Sequence, residues 1–172
     1  MKLMETLKEI GDMGNSVNEK QKQISVTEVS NLWNMLIARY DAIDLTNFLK
    51  KHTDDKDLKL ILNEGLDILN SQATRLEKIL NKYGVPLTDK PVASGSPSVE
   101  IETLTDEKIF REVLRGMQQF LPFEARNFQT SVDPEVRNIF KNLMLEEMEL
   151  YDNYMEYGKL KGWIHQPPVY RI

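Results

Sequence analysis

The residues able to do chemistry in this 172-residue chain are few: two histidines, no cysteine, and a scatter of carboxylates. Without cysteine there are no disulfides, thiolate metal sites or cysteine nucleophiles. The most demanding chemistry open to a helical chain is a di-iron centre, with a Glu on each of two helices and Glu-x-x-His on each of two others. The His follows its Glu by about one turn, so that both point inward. Glu147 falls on an inward-facing pattern, but Leu150 stands three residues after it, and Arg75 stands three after Gln72. His52 and His165 lie outside the helical interiors. Asp44, Glu112 and Glu124 read as marginal to their stripes. One central carboxylate neither neutralises nor coordinates two cations, so no metal ligand is expected. A Ser-His-acid triad would have to use His52 or His165, both poorly enclosed near helix ends. Gly95 is isolated among serines and prolines, so no phosphate-cradling loop is present. The acid pairs Glu146/Glu149 and Glu64/Asp67 read as solvated helix surface. The expectation is a chain with no catalytic, cofactor-binding or metal-binding residues, and not an enzyme.

Composition agrees with a folded chain of one domain. Hydrophobic residues make up 41% and charged residues 28%, and 27 acids against 22 bases give a net charge of −5. That balance opposes non-specific nucleic-acid binding. No apolar run approaches the ~20 residues of a membrane span. Met1 to Ile10 lacks the uncharged apolar core of a signal peptide, so synthesis in the cytoplasm without export by that route is expected.

The elements that would position these residues are long helices. Residues 1–24 read as a leader: Leu3, Met4, Leu7 and Ile10 share a helical face, Gly11 and Gly14 break it, and Asn15 to Gln23 read as a polar tether. The first long helix is predicted from Val26 to Lys51, opened by a capping box of Ser25 and Glu28. Its stripe is read as Val29, Trp33, Leu36, Tyr40, Ile43 and Asn47. Lys50, Lys51 and His52 suit its negative end. Thr53 to Asp55 makes a tight connection and the next N-cap. A second helix follows to Tyr83, with the stripe Leu58, Leu62, Gly65, Leu69, Gln72, Leu76, Ile79 and Tyr83. Gly84 is placed as its C′ residue, ahead of Pro86.

Pro86 to Thr105 holds three prolines, a glycine and several Ser/Thr, which rule out a continuous helix. A preceding helix of about 28 residues is ~42 Å long, and twenty extended residues reach at most ~70 Å. The connection can therefore travel the whole bundle and start the third helix beside the start of the second. That third helix, Asp106 to Gln129, carries Ile109, Val113, Gly116, Phe120, Phe123 and Asn127. Pro122 inside it predicts a kink, with two separate helices as the alternative. Asp133 and Pro134 open a fourth helix to Lys161, with Val136, Phe140, Leu143, Glu147, Leu150, Tyr154 and Gly158 inward. Of Tyr151, Tyr154 and Tyr157, only Tyr154 reads as inner. The other two either pack on neighbouring helices or offer an aromatic face to a second chain. After Gly162 an extended tail contains Pro167 and Pro168, and Trp163 can fold back on the bundle end.

Links in the order short, long, short predict an all-α, four-helix, up-down-down-up bundle over residues 25–172, the ferritin-like topology. Tyr40, Gln72, Gly116 and Glu147 fall at its mid-level. The centre is therefore expected to be polar, with Glu147 accepting hydrogen bonds from Tyr40 and Gln72, and Gly116 leaving space.

The ending Tyr157-Gly158-Lys159-Leu160-Lys161-Gly162-Trp163, followed by Pro167, Pro168 and Tyr170, resembles the close of the spore coat protein F-like family of endospore-forming bacteria. Glu28, Leu32 and Trp33 are similar to that family's opening motif, as is the exit through Gly84, Val85 and Pro86. The resemblance spans roughly 25–172 and implies a ferritin-like bundle with a structural role in the spore coat. Homodimerisation and contact with other coat proteins are the partners expected. It carries over no catalytic residues. A ferritin-like metal or oxidation enzyme, and a non-catalytic module binding a protein or small ligand, are the alternatives, the latter favoured by an apolar pocket near Gly116.

Overall fold

Side chains at the helix starts settle where each helix begins. The computed structural model describes residues 16–88, 104–168 and Tyr170. Among them are five helices and no strand: α1 (Val17–Gln21), α2 (Val26–Lys51), α3 (Lys56–Lys82), α4 (Asp106–Thr130) and α5 (Pro134–Lys161). Ser25 Oγ accepts from the Glu28 amide at 3.1 Å, and Glu28 Oε2 accepts from the Ser25 amide at 3.0 Å, completing the expected capping box. Asp55 and Asp133 cap α3 and α5, each accepting from two backbone N–H groups. Gly84 and Gly162 end α3 and α5 with φ of 65° and 72°, the left-handed backbone that glycine adopts without penalty.

Interhelical hydrogen bonds give the helix directions. Lys82 reaches Glu135 at 2.5 Å while Lys161 reaches Asp55 at 2.7 Å, so α3 and α5 are antiparallel neighbours. Glu28 at the start of α2 accepts from Val132 and Asp133 N–H at the α4–α5 turn, so α2 and α4 are antiparallel too. Asp106 at the start of α4 accepts from the Asp54 and Asp55 amides, which places that start beside the start of α3. The order is up-down-down-up. The α2–α3 and α4–α5 hairpins pack closely within themselves, and α3–α5 and α2–α4 join them. The crossover must regain the length of α3, about 40 Å at 1.5 Å per residue. Most of it (89–103) lies outside the described residues, as does the leader helix expected around Leu3 to Ile10.

The core is split in two. One cluster holds Leu32, Leu36, Leu76, Leu80 and Phe140; the other holds Leu58, Leu62, Ile109, Phe110 and Tyr154. Between them lies the mid-level of the bundle.

Four expectations need correction. The inward set of α2 is Glu28, Leu32, Met35, Leu36, Arg39, Tyr40, Thr46 and Leu49, so the stripe sits one residue earlier than the one through Trp33 and Asn47. Three members are polar or charged, and periodicity in hydrophobicity passes over them. The inward set of α4 contains Met117 and Glu124 instead of Gly116 and Phe123. Tyr157, read as outside the inner stripe, is buried, and it packs on Phe110 of the neighbouring α4, as the first of its two readings had it. The polar stretch read as a tether contains α1, and Gln21 Nε2 donates to the Tyr83 carbonyl at 3.0 Å. Pro122 does not divide α4, which runs unbroken through it with the ring exposed.

Candidate functional site

The mid-level of the bundle holds a buried ion cluster drawn from three helices. Arg39 of α2 is fully buried, as is Glu124 of α4, and Glu147 of α5 is 2% exposed. Arg39 Nη2 donates to Glu124 Oε1 and stands 3.6 Å from Glu147 Oε2. The guanidinium carbon lies 4.0 Å from the centre of the Phe120 ring, so one face of the cation is met by π density. Arg39 Nε and Nη1 and Glu124 Oε2 are buried with no hydrogen-bond partner among the described residues.

One cation faces two acids here. Burial pushes Glu124 up to about 8, against the opposing pull of Arg39 and with the negative charge of Glu147 adding to the rise. Burial also raises Glu147, again opposed by Arg39. The two carboxyls share one guanidinium and titrate as a pair, and each takes up a proton more readily than a solvated glutamate.

The expected hydrogen bonds of Glu147 are not those formed. Tyr40 donates its hydroxyl to Glu77 at 2.7 Å, and burial, with the Glu77 carboxylate beside it, raises its pKa well above the phenol range. Gln72 donates to Glu146 at 3.2 Å, and Arg75 grips the same carboxylate with both terminal nitrogens. Burial raises Glu146, but those bonds outweigh it and hold the group below the usual carboxylate range. Glu146 is thus a half-buried partner rather than bare surface, whereas Glu149, Glu64 and Asp67 are exposed as expected. The sequence missed Arg39, and it set Glu124 aside as marginal. A signal was available, since Glu28, Leu32, Met35, Arg39, Ala42, Thr46 and Leu49 keep a strict 4-3 spacing.

Ferritin-like bundles hold metals at this level, with carboxylates and histidines from all four helices. The residues here do not fit such a centre. α2 supplies a guanidinium, α3 supplies Gln72, and only α4 and α5 supply carboxylates. A divalent ion between Glu124 and Glu147 would have to displace the positive charge already hydrogen-bonded there. No group of three or more His, Cys, Asp or Glu among the described residues is arranged to share an ion. His52 Nδ1 donates to the Phe48 carbonyl, 2.9 Å away, and the ring leans on the Phe48 ring; His165 is exposed.

Beside the ion cluster lies a cavity of about 80 Å³. Ala42, Gly65, Leu69, Gly116, Phe120, Glu147 and Tyr154 contribute to its wall, so all four long helices line it. A Cβ built on Gly65 or Gly116 would meet nothing within 4 Å. The space expected at Gly116 is present, and Gly65 adds to it.

At the far end of the bundle, Trp163 folds back on Phe110 (ring centres 5.6 Å apart) and Tyr157 (5.7 Å). His165 to Pro168 are exposed and have no helical structure. Lys161 holds Asp55 down to about 2, aided by the Leu58 amide.

A family described as a protein of unknown function (DUF3231) matches residues 12–171. The match begins thirteen residues before the resemblance read from motifs (25 − 12 = 13) and takes in α1. The uncharacterized protein YvdQ of Bacillus subtilis is 20% identical over 161 residues, covering 90% of this chain and 94% of that protein. A crystal structure of a Bacillus halodurans protein proposed to be a spore coat protein superposes with a TM-score of 0.75 at 21% identity, over 87% of this chain and 96% of that one. A two-domain protein from Anabaena variabilis, with DJ-1/ThiJ/PfpI-like and ferritin-like domains, gives a TM-score of 0.64 at 17% identity, over 92% of this chain and 42% of that one. These likenesses place the fold among ferritin-like helical bundles.

Proposed function

Because this chain belongs to the DUF3231 family, a family without an assigned activity, we propose its role from its own residues: a non-catalytic building block of the spore coat or of its assembly. The observation that carries the non-catalytic part is the ion cluster. Where a ferritin-like enzyme would present carboxylates and histidines to a metal, this chain presents Arg39 hydrogen-bonded to Glu124, with Glu147 beside it. The charge that a metal would supply comes from the polypeptide itself. The coat assignment is supported by the Lys161-Gly162-Trp163 ending with its Pro-Pro tail, and by the Bacillus halodurans neighbour proposed to be a coat protein. Leu145 and Met148, about half exposed on the outer side of α5, suit contact with a second copy or another coat protein. No described helix is long and apolar enough to cross a membrane.

The test is fractionation of spores and vegetative cells of the producing organism, probed with an antibody to this chain. Recovery in the coat extract of mature spores is expected. Recovery in vegetative cytosol, with none in the coat, would overturn the assignment. Sedimentation equilibrium of the purified chain measures self-association, and a dimer is the expected species.

A further inference from the structure

The mid-bundle cavity and the ion cluster share Glu147, and that carboxyl shares its one cation with Glu124. Its carboxyl is almost fully buried and lines the cavity, and its nearest cationic atom, Arg39 Nη2, is 3.6 Å away, outside hydrogen-bond distance. Glu146, the acid beside it in sequence, already has Arg75 and Gln72. With both Glu124 and Glu147 ionised, the single guanidinium leaves one negative charge uncompensated inside the protein, a costly arrangement unless a proton or a cation joins it. The rest of the wall is mostly apolar, with Leu62, Leu69, Phe120 and Leu150 in it; Thr46 and Glu112 also line it, and Glu112 is paired with Arg115. Leu45, which also lines it, is 39% exposed, so the cavity has a mouth at the surface.

We infer that this cavity is a binding site for a small primary amine with a short apolar tail, its ammonium group seated on Glu147 and its tail lying between Gly65 and Gly116. An ammonium supplies three donors to a carboxyl that stands outside hydrogen-bond distance of Arg39, and a second positive charge to a cluster in which one guanidinium faces two acids. The apolar wall takes the tail. A cavity of 150 Å³ admits benzene, so one of about 80 Å³ suits a chain of about three or four carbons. The two glycines set the length of the site, because any side chain there would occupy the space the tail needs. The feature is independent of a coat role, and a coat protein can carry it.

Butylammonium and butan-1-ol separate the charge from the tail, since they share a four-carbon chain and a donor and differ in charge. Binding is read by amide shifts in two-dimensional NMR of the full chain and by thermal shift. Butylammonium is expected to bind at least about ten-fold more tightly than butan-1-ol, with shifts centred on Gly65, Gly116 and Leu150. Glu147→Gln should remove the preference for the amine while leaving weak binding of the alcohol. Gly116→Ala, which meets no neighbour and so leaves the fold intact, should weaken both. Equal affinity for amine and alcohol, an amine preference that survives Glu147→Gln, or shifts that map to another part of the bundle would each overturn the proposal.

Discussion

Arg39 owes its burial to partners on two other helices, and the same partners set how the protein responds to pH. Glu124 and Glu147 bind protons more readily folded than unfolded, because burial disfavours their charge. Unfolded glutamates titrate near about 4.3. The stability linked to these two groups is therefore complete below that value and is lost as pH rises, for Glu124 through about 8. Asp55, Glu28 and Glu146 have the opposite sign: they are held low, so their contribution is present above about pH 4 and is lost as pH falls further. The urea midpoint should fall between about pH 5 and about pH 8, by an amount on the order of a few kcal/mol in unfolding free energy. Glu124→Gln leaves Arg39 with one acid and should flatten that slope. A variant as pH-sensitive as the parent would show that the dependence arises elsewhere.

Among the elements, α5 comes close to α4 and to its own tail at Gly158. A Cβ there would lie well inside van der Waals contact of Phe110 Cζ and 2.9 Å from Ile164 Cδ1. Phe110 is fully buried and stacked on Tyr154 with ring centres 4.5 Å apart, so it has little room to yield. Gly158→Ala is expected to cost about 1–3 kcal/mol by overpacking. Gly116→Ala on α4 meets nothing, and it should stabilise by about 0.5–1 kcal/mol through helix propensity alone. Denaturant unfolding of the two variants checks the contrast; equal effects would mean that the Gly158 approach is not tight. The same helices illustrate what a motif can hide. Ser25 and Glu28 were legible as a capping box, yet Glu28 also caps the turn into α5 with its other oxygen, at 2.8 and 2.7 Å from two backbone nitrogens. Burial alone would raise this carboxyl, but those bonds and the ones to Ser25 prevail and hold it low.

For the molecule as a whole, the tail closes one end of the bundle. Trp163 and Ile164 pack on the cluster around Phe110 and Tyr154, while His165 to Pro168 and Tyr170 are exposed. Removing residues 163–172 should lower the melting temperature, with a loss on the order of 2 kcal/mol from a half-buried indole. The sedimentation coefficient should report the same oligomer as the full chain. An unchanged melting temperature would mean that the tail does not hold this end; a changed oligomer would mean that it also reaches a neighbouring chain.

Local chemistry in the sequence determined where α2, α3 and α5 begin, where glycine stops two of them, and that one long connection makes the order up-down-down-up. Those features depend on residues within a few positions of one another, or on chain length, and both are visible in one dimension. The sequence also placed Glu147 and open space at Gly116 in the middle of the core. Only the tertiary structure decided which side of α2 faces inward and what Glu147 meets there. Two stripes one residue apart compete on that helix, and the buried one carries Glu28, Arg39 and Thr46. A charged side chain can be buried only when opposite charge or donors wait on another helix, and helical periodicity holds no record of what stands across the gap.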